Sequence, residues 1–267
     1  MKHLLTIEWM KVRKYRTFWV LFTLFVLSMF GISFIWWYMN HQFESSGDFT
    51  MRAAGTMLFG SFSFPGVFNT ISQISSWLLY FPGFIIIFHT TNEYTYKTHR
   101  QNIIDGLERT DFIKAKLGFA FILALLCTLI VLTSTLFFGI ISGGGSITLE
   151  AFSYTGYFFV QSCVYILFAL VLSLLLRRAA LAVGIYFIYG ILIDFLLALW
   201  LSKATGNALG FYVLPLQVAD QLIPNVITEK TVSLMGDYKT SIALVISLAW
   251  IVFYCWFPIR KFSKEDL

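Results

Sequence analysis

The chain has 267 residues, of which 58% are hydrophobic, 19% aromatic and 12% charged, with a formal net charge of +5. Soluble domains carry about 25% charged residues, so half the usual charge is missing and the mean hydropathy of +0.76 excludes an ordinary water-soluble globule. The cysteines, Cys127, Cys163 and Cys255, all fall in apolar runs, where they act as small hydrophobes and offer neither a disulfide framework nor a zinc pattern.

Residues 1–16 mix Leu4, Leu5, Trp9, Met10 and Val12 with Lys11, Arg13, Lys14 and Arg16. Tryptophan and basic residues beside an apolar run suit the headgroup region, which predicts an interfacial helix, with a plain basic anchor as the alternative. Six apolar runs follow, at 17–39, 66–90, 117–141, 152–176, 179–201 and 240–259, each 20 to 25 residues long. A helix rises about 1.5 Å per residue, so roughly 20 residues cross a hydrocarbon core of about 30 Å. Asp194 is the only Asp, Glu, Lys or Arg inside any run. Helices apolar all round at that length belong in lipid. The expected fold is all-α: one polytopic transmembrane domain, residues 1–267, with six membrane helices and a first span that is not a cleaved signal peptide.

The connections carry the remaining signals. Residues 40–65 read as an outer loop, polar at first and then small and apolar towards Phe64 and Pro65. Pro82 should kink the second span. Gly143, Gly144 and Gly145 make a flexible turn, and Arg177-Arg178 is so short a turn that spans four and five must form an antiparallel hairpin. Residues 202–239 contain a largely apolar stretch, 211–224, interrupted by Pro215 and Pro224. It is too short to cross, which predicts a broken re-entrant segment dipping into the outer leaflet. With the N-terminus cytoplasmic, 15 of the 19 Lys and Arg residues fall in cytoplasmic segments and only Arg52, Lys203, Lys230 and Lys239 fall outside. Both termini are therefore expected to be cytoplasmic. The same split attributes the basic balance to orientation and anionic lipid, not to nucleic acid.

Catalytic motifs are missing. His3, His41, His89 and His99 are scattered without ligand spacing, and Gly143–Ser146 lacks the G-K-[S/T] ending of a phosphate-binding loop. No metal or cofactor is expected in this chain, and it is not expected to be an enzyme. Charge concentrates instead in residues 91–116, between spans two and three. There Asn92 is expected to cap a helix beginning near Glu93 and ending by Gly106, with Tyr96, His99, Ile103 and Leu107 on one face. The reading is a short cytoplasmic docking helix; the alternative is a solvated loop whose charges set topology. Asp194, sixteenth of 23 residues in span five, is either a pathway residue or a partner in a structural hydrogen bond.

The 91–116 segment resembles that of ABC-2 type transporter permeases, especially the compact six-span subunits of bacitracin and lantibiotic self-protection. Glu93 matches an acidic residue ending the second span, Thr98 a threonine about five residues on, Arg109 an arginine, and Lys116 a lysine entering the third span. The basic pre-span helix with Glu8, Lys11, Arg13 and Arg16 fits as well, whereas Gly106-Leu107-Glu108 stands where many members have a proline before the arginine. The resemblance implies an exporter of hydrophobic or amphipathic cargo, with ATP and Mg bound by a separate ATP-binding cassette subunit in two copies. It also implies a second permease subunit, identical or similar, in the cell membrane. Residues 93–105 would then be the coupling helix and 202–239 a gate, with Glu93, Thr98, Arg100, Asn102, Arg109 and Lys116 as ATPase-coupling residues.

Overall fold

The computed structural model describes residues 2–45, 48–98, 109–223 and 239–262. Among these every regular element is helical. Six helices are long and apolar enough to cross a membrane: span 1 (Arg16–Glu44), span 2 (Val67–Thr95), span 3 (Thr110–Ile141), span 4 (Leu149–Leu176), span 5 (Ala179–Thr205) and span 6 (Thr240–Phe262). The six apolar runs are thus six helices of a polytopic membrane protein. Most extend past their apolar stretch into polar residues, because each added residue gains a hydrogen bond once the helix exists. Span 3 gains most, reaching back from 117 to Thr110.

Spans 2 and 4 form the centre of the bundle, with 61% and 67% of their apolar windows buried against 22% in spans 1, 5 and 6. Span 2 suits the centre because its buried face is small and weakly polar, with Thr70, Ser72, Ser75, Gly83, Thr90 and Thr91. The Ser75 hydroxyl donates to Ile71 O at 2.7 Å and that of Thr91 to Ile87 O at 2.7 Å, so these hydroxyls need no outside partner. At Gly83 a Cβ would strike the Tyr186 ring of span 5; glycine is what lets the two helices meet. Pro82 has no N–H for the Leu78 carbonyl, and there the helix tightens into a 3₁₀ turn, Trp77–Leu79.

Arg177 takes a left-handed φ of 54° and returns its N–H to Ser173 O at 3.0 Å, so only two residues separate span 4 from span 5. Gly143, Gly144 and Gly145 all have positive φ (94°, 72° and 144°), which is why glycines occupy this turn. The described parts of residues 40–65 are more regular than a loop. Span 1 continues to Glu44, and a helix at Phe49–Phe59 folds back on it. Asn40 Nδ2 donates to Gly60 O at 2.8 Å, and the Phe59 ring meets Trp36 and Phe43 with centroids 5.8 and 5.7 Å away. The apolar half of this segment pays its ordering entropy by covering span 1.

After span 5, helices at Leu209–Val213 and Pro215–Asp220 are broken at Leu214, whose extended ψ of 140° is what a following proline imposes. Pro215 occupies the first helical position, where its missing N–H is harmless. Phe211, Leu216, Val218 and Ala219 are buried against the bundle. Residue 224, the second expected break, lies outside the described residues.

Candidate functional site

A helix at Lys2–Arg13 precedes span 1 and turns its Trp9 and Met10 outwards while burying Val12 and, less predictably, Glu8. Glu8 meets the ends of spans 2 and 3. Lys116 Nζ, wholly buried on span 3, donates to Glu8 Oε2 at 2.6 Å and to Glu93 Oε1 of span 2 at 2.6 Å. Lys11 Nζ spans the same two carboxylates, 2.9 Å from Glu8 Oε1 and 3.0 Å from Glu93 Oε1. His89 Nε2 lies 2.6 Å from Glu8 Oε2 and 3.1 Å from Lys116 Nζ; with its hydrogen on Nε2 it donates to the carboxylate. Two carboxylates and two ammoniums cancel, which makes burial tolerable.

Glu8, His89 and Glu93 place ligand atoms within 4.8 Å of one another, a spacing suited to a divalent cation. The Lys116 ammonium stands among those same atoms and takes the cation's part. Chemically the cluster is a clasp tying three helices together, with no nucleophile or open coordination position.

Its electrostatics set a pH window. Burial alone would push the Glu8 carboxyl up, but Lys116, His89 and Lys11 outweigh burial and hold it well below the usual carboxylate range. For Lys11, burial pulls the ammonium down and Glu93 and Glu8 more than offset it, leaving it above its ordinary value of 10.5. A depressed carboxyl contributes stability that is full above its ordinary value of 4.5 and is lost as pH falls towards the depressed one. The raised Lys11 contribution is full below 10.5 and is lost only above it. The thermal midpoint of the detergent-purified protein should therefore be insensitive to this clasp from about pH 5 to about pH 10 and fall below that window. In Glu8→Gln the acid fall should be shallower; an identical acid limb in both proteins would contradict the assignment.

The residues expected to couple to an ATPase divide accordingly. Glu93 and Lys116 are brought into direct contact. Asn92 does not cap a new helix: the Tyr80–Thr95 helix runs through it, so Glu93 lies in a last turn, not a first one. The carboxylate is held there by two ammoniums, not by a helix dipole. Thr98 is close behind, its Oγ1 3.5 Å from Glu93 O. Arg109 opens the helix of span 3. Arg100 and Asn102, with most of the expected docking helix 93–105, lie outside the described residues. Glu8, Lys11 and His89 were not among the expected site residues. The resemblance names Glu8 and Lys11 only as members of a basic pre-span helix, and His89 is signalled by no more than the polar run His89-Thr90-Thr91-Asn92-Glu93 at the end of span 2.

Asp194 belongs to a second polar centre, at the opposite end of the bundle. A π-helical turn, Tyr189–Ile193, ends at it, and the carboxyl is wholly buried. Its Oδ2 accepts the Gln217 N–H at 2.7 Å and so caps the Pro215–Asp220 helix, whose own N-cap, Leu214, has no acceptor to offer. The last residue of that helix, Asp220, accepts at Oδ1 from Gln161 Nε2 at 2.9 Å and from the Tyr165 hydroxyl at 2.8 Å, both on span 4. Gln161 in turn accepts at Oε1 from the Ser76 hydroxyl of span 2 at 2.8 Å. The broken segment is thus pinned at both ends by carboxylates.

Beside it, an apolar cleft of about 560 Å³ opens between spans 4, 5 and 6, lined among others by Phe168, Tyr189, Pro215, Trp250, Phe253 and Tyr254 and, among the described residues, by no charged one. Trp250 Nε1 donates to Val213 O at 3.0 Å, tying span 6 to the same segment.

No curated protein matches the chain at a significant level. A family model described as ABC-2 family transporter protein matches residues 4–193. That stretch includes most of the N-terminal helix and the Glu8–His89–Glu93–Lys116 clasp and stops one residue short of Asp194, so this chain belongs to the ABC-2 transporter family and is a multi-pass membrane component of an ATP-binding cassette transporter.

Proposed function

We propose that this chain is the permease subunit of an ATP-driven exporter in the cell membrane, with both termini cytoplasmic. It moves a hydrophobic or amphipathic cargo, such as a peptide, an antibiotic or a lipid, across or out of the bilayer. The observation that carries this reading is the buried clasp at the two ends of the 91–116 connection. Glu93 and Lys116 flank that connection, and Glu8 and Lys11 fasten it to the N-terminal helix. A partner gripping the connection would move spans 2 and 3 and the N-terminal helix as one body. The 15-to-4 distribution of Lys and Arg supports placing this end in the cytoplasm.

ATP and Mg are bound and hydrolysed by a separate ATP-binding cassette subunit, present in two copies, and a second permease subunit, identical or similar, completes the pathway. The segment 202–239 serves as the gate at the outer end. The uncharged lining of the neighbouring cleft favours apolar cargo.

The test is co-purification of an ATPase from mild detergent, followed by cargo-stimulated hydrolysis in reconstituted membranes. Arg100→Glu, in the connection itself, should reduce association at least tenfold while the protein still inserts, since reversal at a partly polar interface costs a few kcal/mol. Association without any stimulated hydrolysis would instead favour a membrane scaffold that anchors a soluble partner through 91–116.

A further inference from the structure

The carboxyl of Asp220 has an unusual set of neighbours for a charged group. Both of its donors, Gln161 Nε2 and the Tyr165 hydroxyl, are neutral and converge on Oδ1. Such donors favour the ionised form less than a cation would, and their convergence on Oδ1 leaves Oδ2 to hold a hydrogen. No Lys, Arg or His hydrogen-bonds or ion-pairs with it among the described residues. The titratable groups that interact with it are Tyr165 of span 4, Tyr80 of span 2 and Tyr186 and Asp194 of span 5, while Tyr189 in the π turn and Tyr254 of span 6 interact with Asp194. Lys203 and Lys239, on adjoining elements, are exposed. The Tyr186 hydroxyl, wholly buried and without a hydrogen-bond partner, interacts electrostatically with Asp220 and can receive a hydrogen.

Asp194 and Asp220 are not equivalent. Asp194 faces the N-terminus of the Pro215–Asp220 helix, where a backbone N–H meets its charge. Asp220 stands at the C-terminus, where the carbonyl ends disfavour an anion, and the carboxylate at the other end disfavours it further. A half-buried anion with neutral donors, no cation and a second carboxylate nearby is costly, and the cheaper state carries a proton.

We propose that Asp220 is a proton-binding site that latches the broken segment 209–223 to spans 2 and 4: protonated, it seats the segment; deprotonated, it drives the segment towards water. The binding is a simple proton transfer from solvent to Oδ2, and no other bond changes. The sign follows from linkage. In water the carboxyl ionises at its ordinary value near 3.9, whereas the seated carboxyl resists ionisation to higher pH. Seating is therefore full at acid pH and is lost as pH rises through the seated value. One proton limits the change in the seated-to-unseated ratio to tenfold per pH unit. This inference concerns the chain alone and does not rest on an ATPase partner.

Two measurements on the detergent-purified protein test it. Difference infrared spectroscopy should show the carbonyl stretch of a protonated carboxylic acid that disappears in Asp220→Asn and persists in Asp194→Asn. In Asp194→Asn its titration should move to lower pH, because the neighbouring charge is gone. A spin-label pair at Val213→Cys and Leu248→Cys, both positions exposed, should report a second, longer distance that grows from about pH 5 to about pH 9. In Asp220→Asn, which keeps the amide oxygen for Gln161 and Tyr165, the shorter distance should persist throughout. An unchanged carboxylic acid band in Asp220→Asn, or a pH-independent distance in the otherwise unaltered chain, would overturn the proposal. The second of these needs no variant at position 220 to fold.

Discussion

Lys116→Ala is expected to be among the most damaging single substitutions in the chain, destabilising the bundle by about 3–5 kcal/mol. The ammonium is wholly buried and is shared between Glu8 Oε2 and Glu93 Oε1 at 2.6 Å each. Its loss leaves two carboxylates facing one another with only Lys11 between them, 29% exposed and at the rim. One ammonium cannot balance two carboxylates, so His89 or one carboxylate must take up a proton or the N-terminal helix must leave. Lys116→Arg should be intermediate, because a planar fork does not fit where a point charge is gripped from both sides. The readout is the thermal midpoint of the purified protein together with the protease sensitivity of residues 2–13. Joint replacement of Glu8, Lys11, Glu93 and Lys116 by apolar residues should recover much of the midpoint, since a neutral core needs no balancing. A midpoint for Lys116→Ala close to that of the parent would show that the clasp contributes little.

This changes what a charge reversal at Glu93 would mean. As the opening residue of an exposed helix, Glu93 would report on partner docking alone. Where it actually stands, Glu93→Lys gathers three ammoniums against one carboxylate in a buried site, and loss of the fold would precede any effect on docking. Arg100, in the connection itself, is the cleaner probe.

The spans were legible because their signal is local: an apolar stretch of some 20 residues has few alternatives to a membrane helix. The hairpin of spans 4 and 5 followed from two arginines alone. The clasp was not legible, because its members are 81 and 108 residues apart in the chain and no spacing rule joins them. His89, one of four scattered histidines, carries no pattern until span 2 is placed beside the N-terminal helix. Asp220 escaped notice for a different reason. A single carboxylate in a long connection reads as solvated, and only the packing of Pro215–Asp220 against span 4 shows otherwise. The Phe49–Phe59 helix escaped because its apolar face is answered by span 1 and not by a periodicity of its own.

Asp194→Leu is the second substitution expected to have a large effect, and the comparison with Asp194→Asn separates its causes. Leucine is close in size and favourable in lipid, so burial by itself argues for a gain. Against that, the Gln217 N–H loses its acceptor at 2.7 Å inside the bundle, and Leu214 cannot replace it. An orphaned buried donor costs about 1–3 kcal/mol, and a membrane interior offers little water to relieve it. The Pro215–Asp220 helix has only six residues and no other N-terminal cap, so a loss of this size is enough to unseat it. Asparagine keeps a carbonyl oxygen where Oδ2 stands and should seat the segment as aspartate does. Spin-label distances from Val213 to span 6 would read seating directly, alongside cargo transport in vesicles. The expected pattern is displacement and lost transport in the leucine variant, with both retained in the asparagine variant. A seated but inactive asparagine variant would instead assign the Asp194 charge to the transport pathway, and seating in both variants would mean that the cap is dispensable.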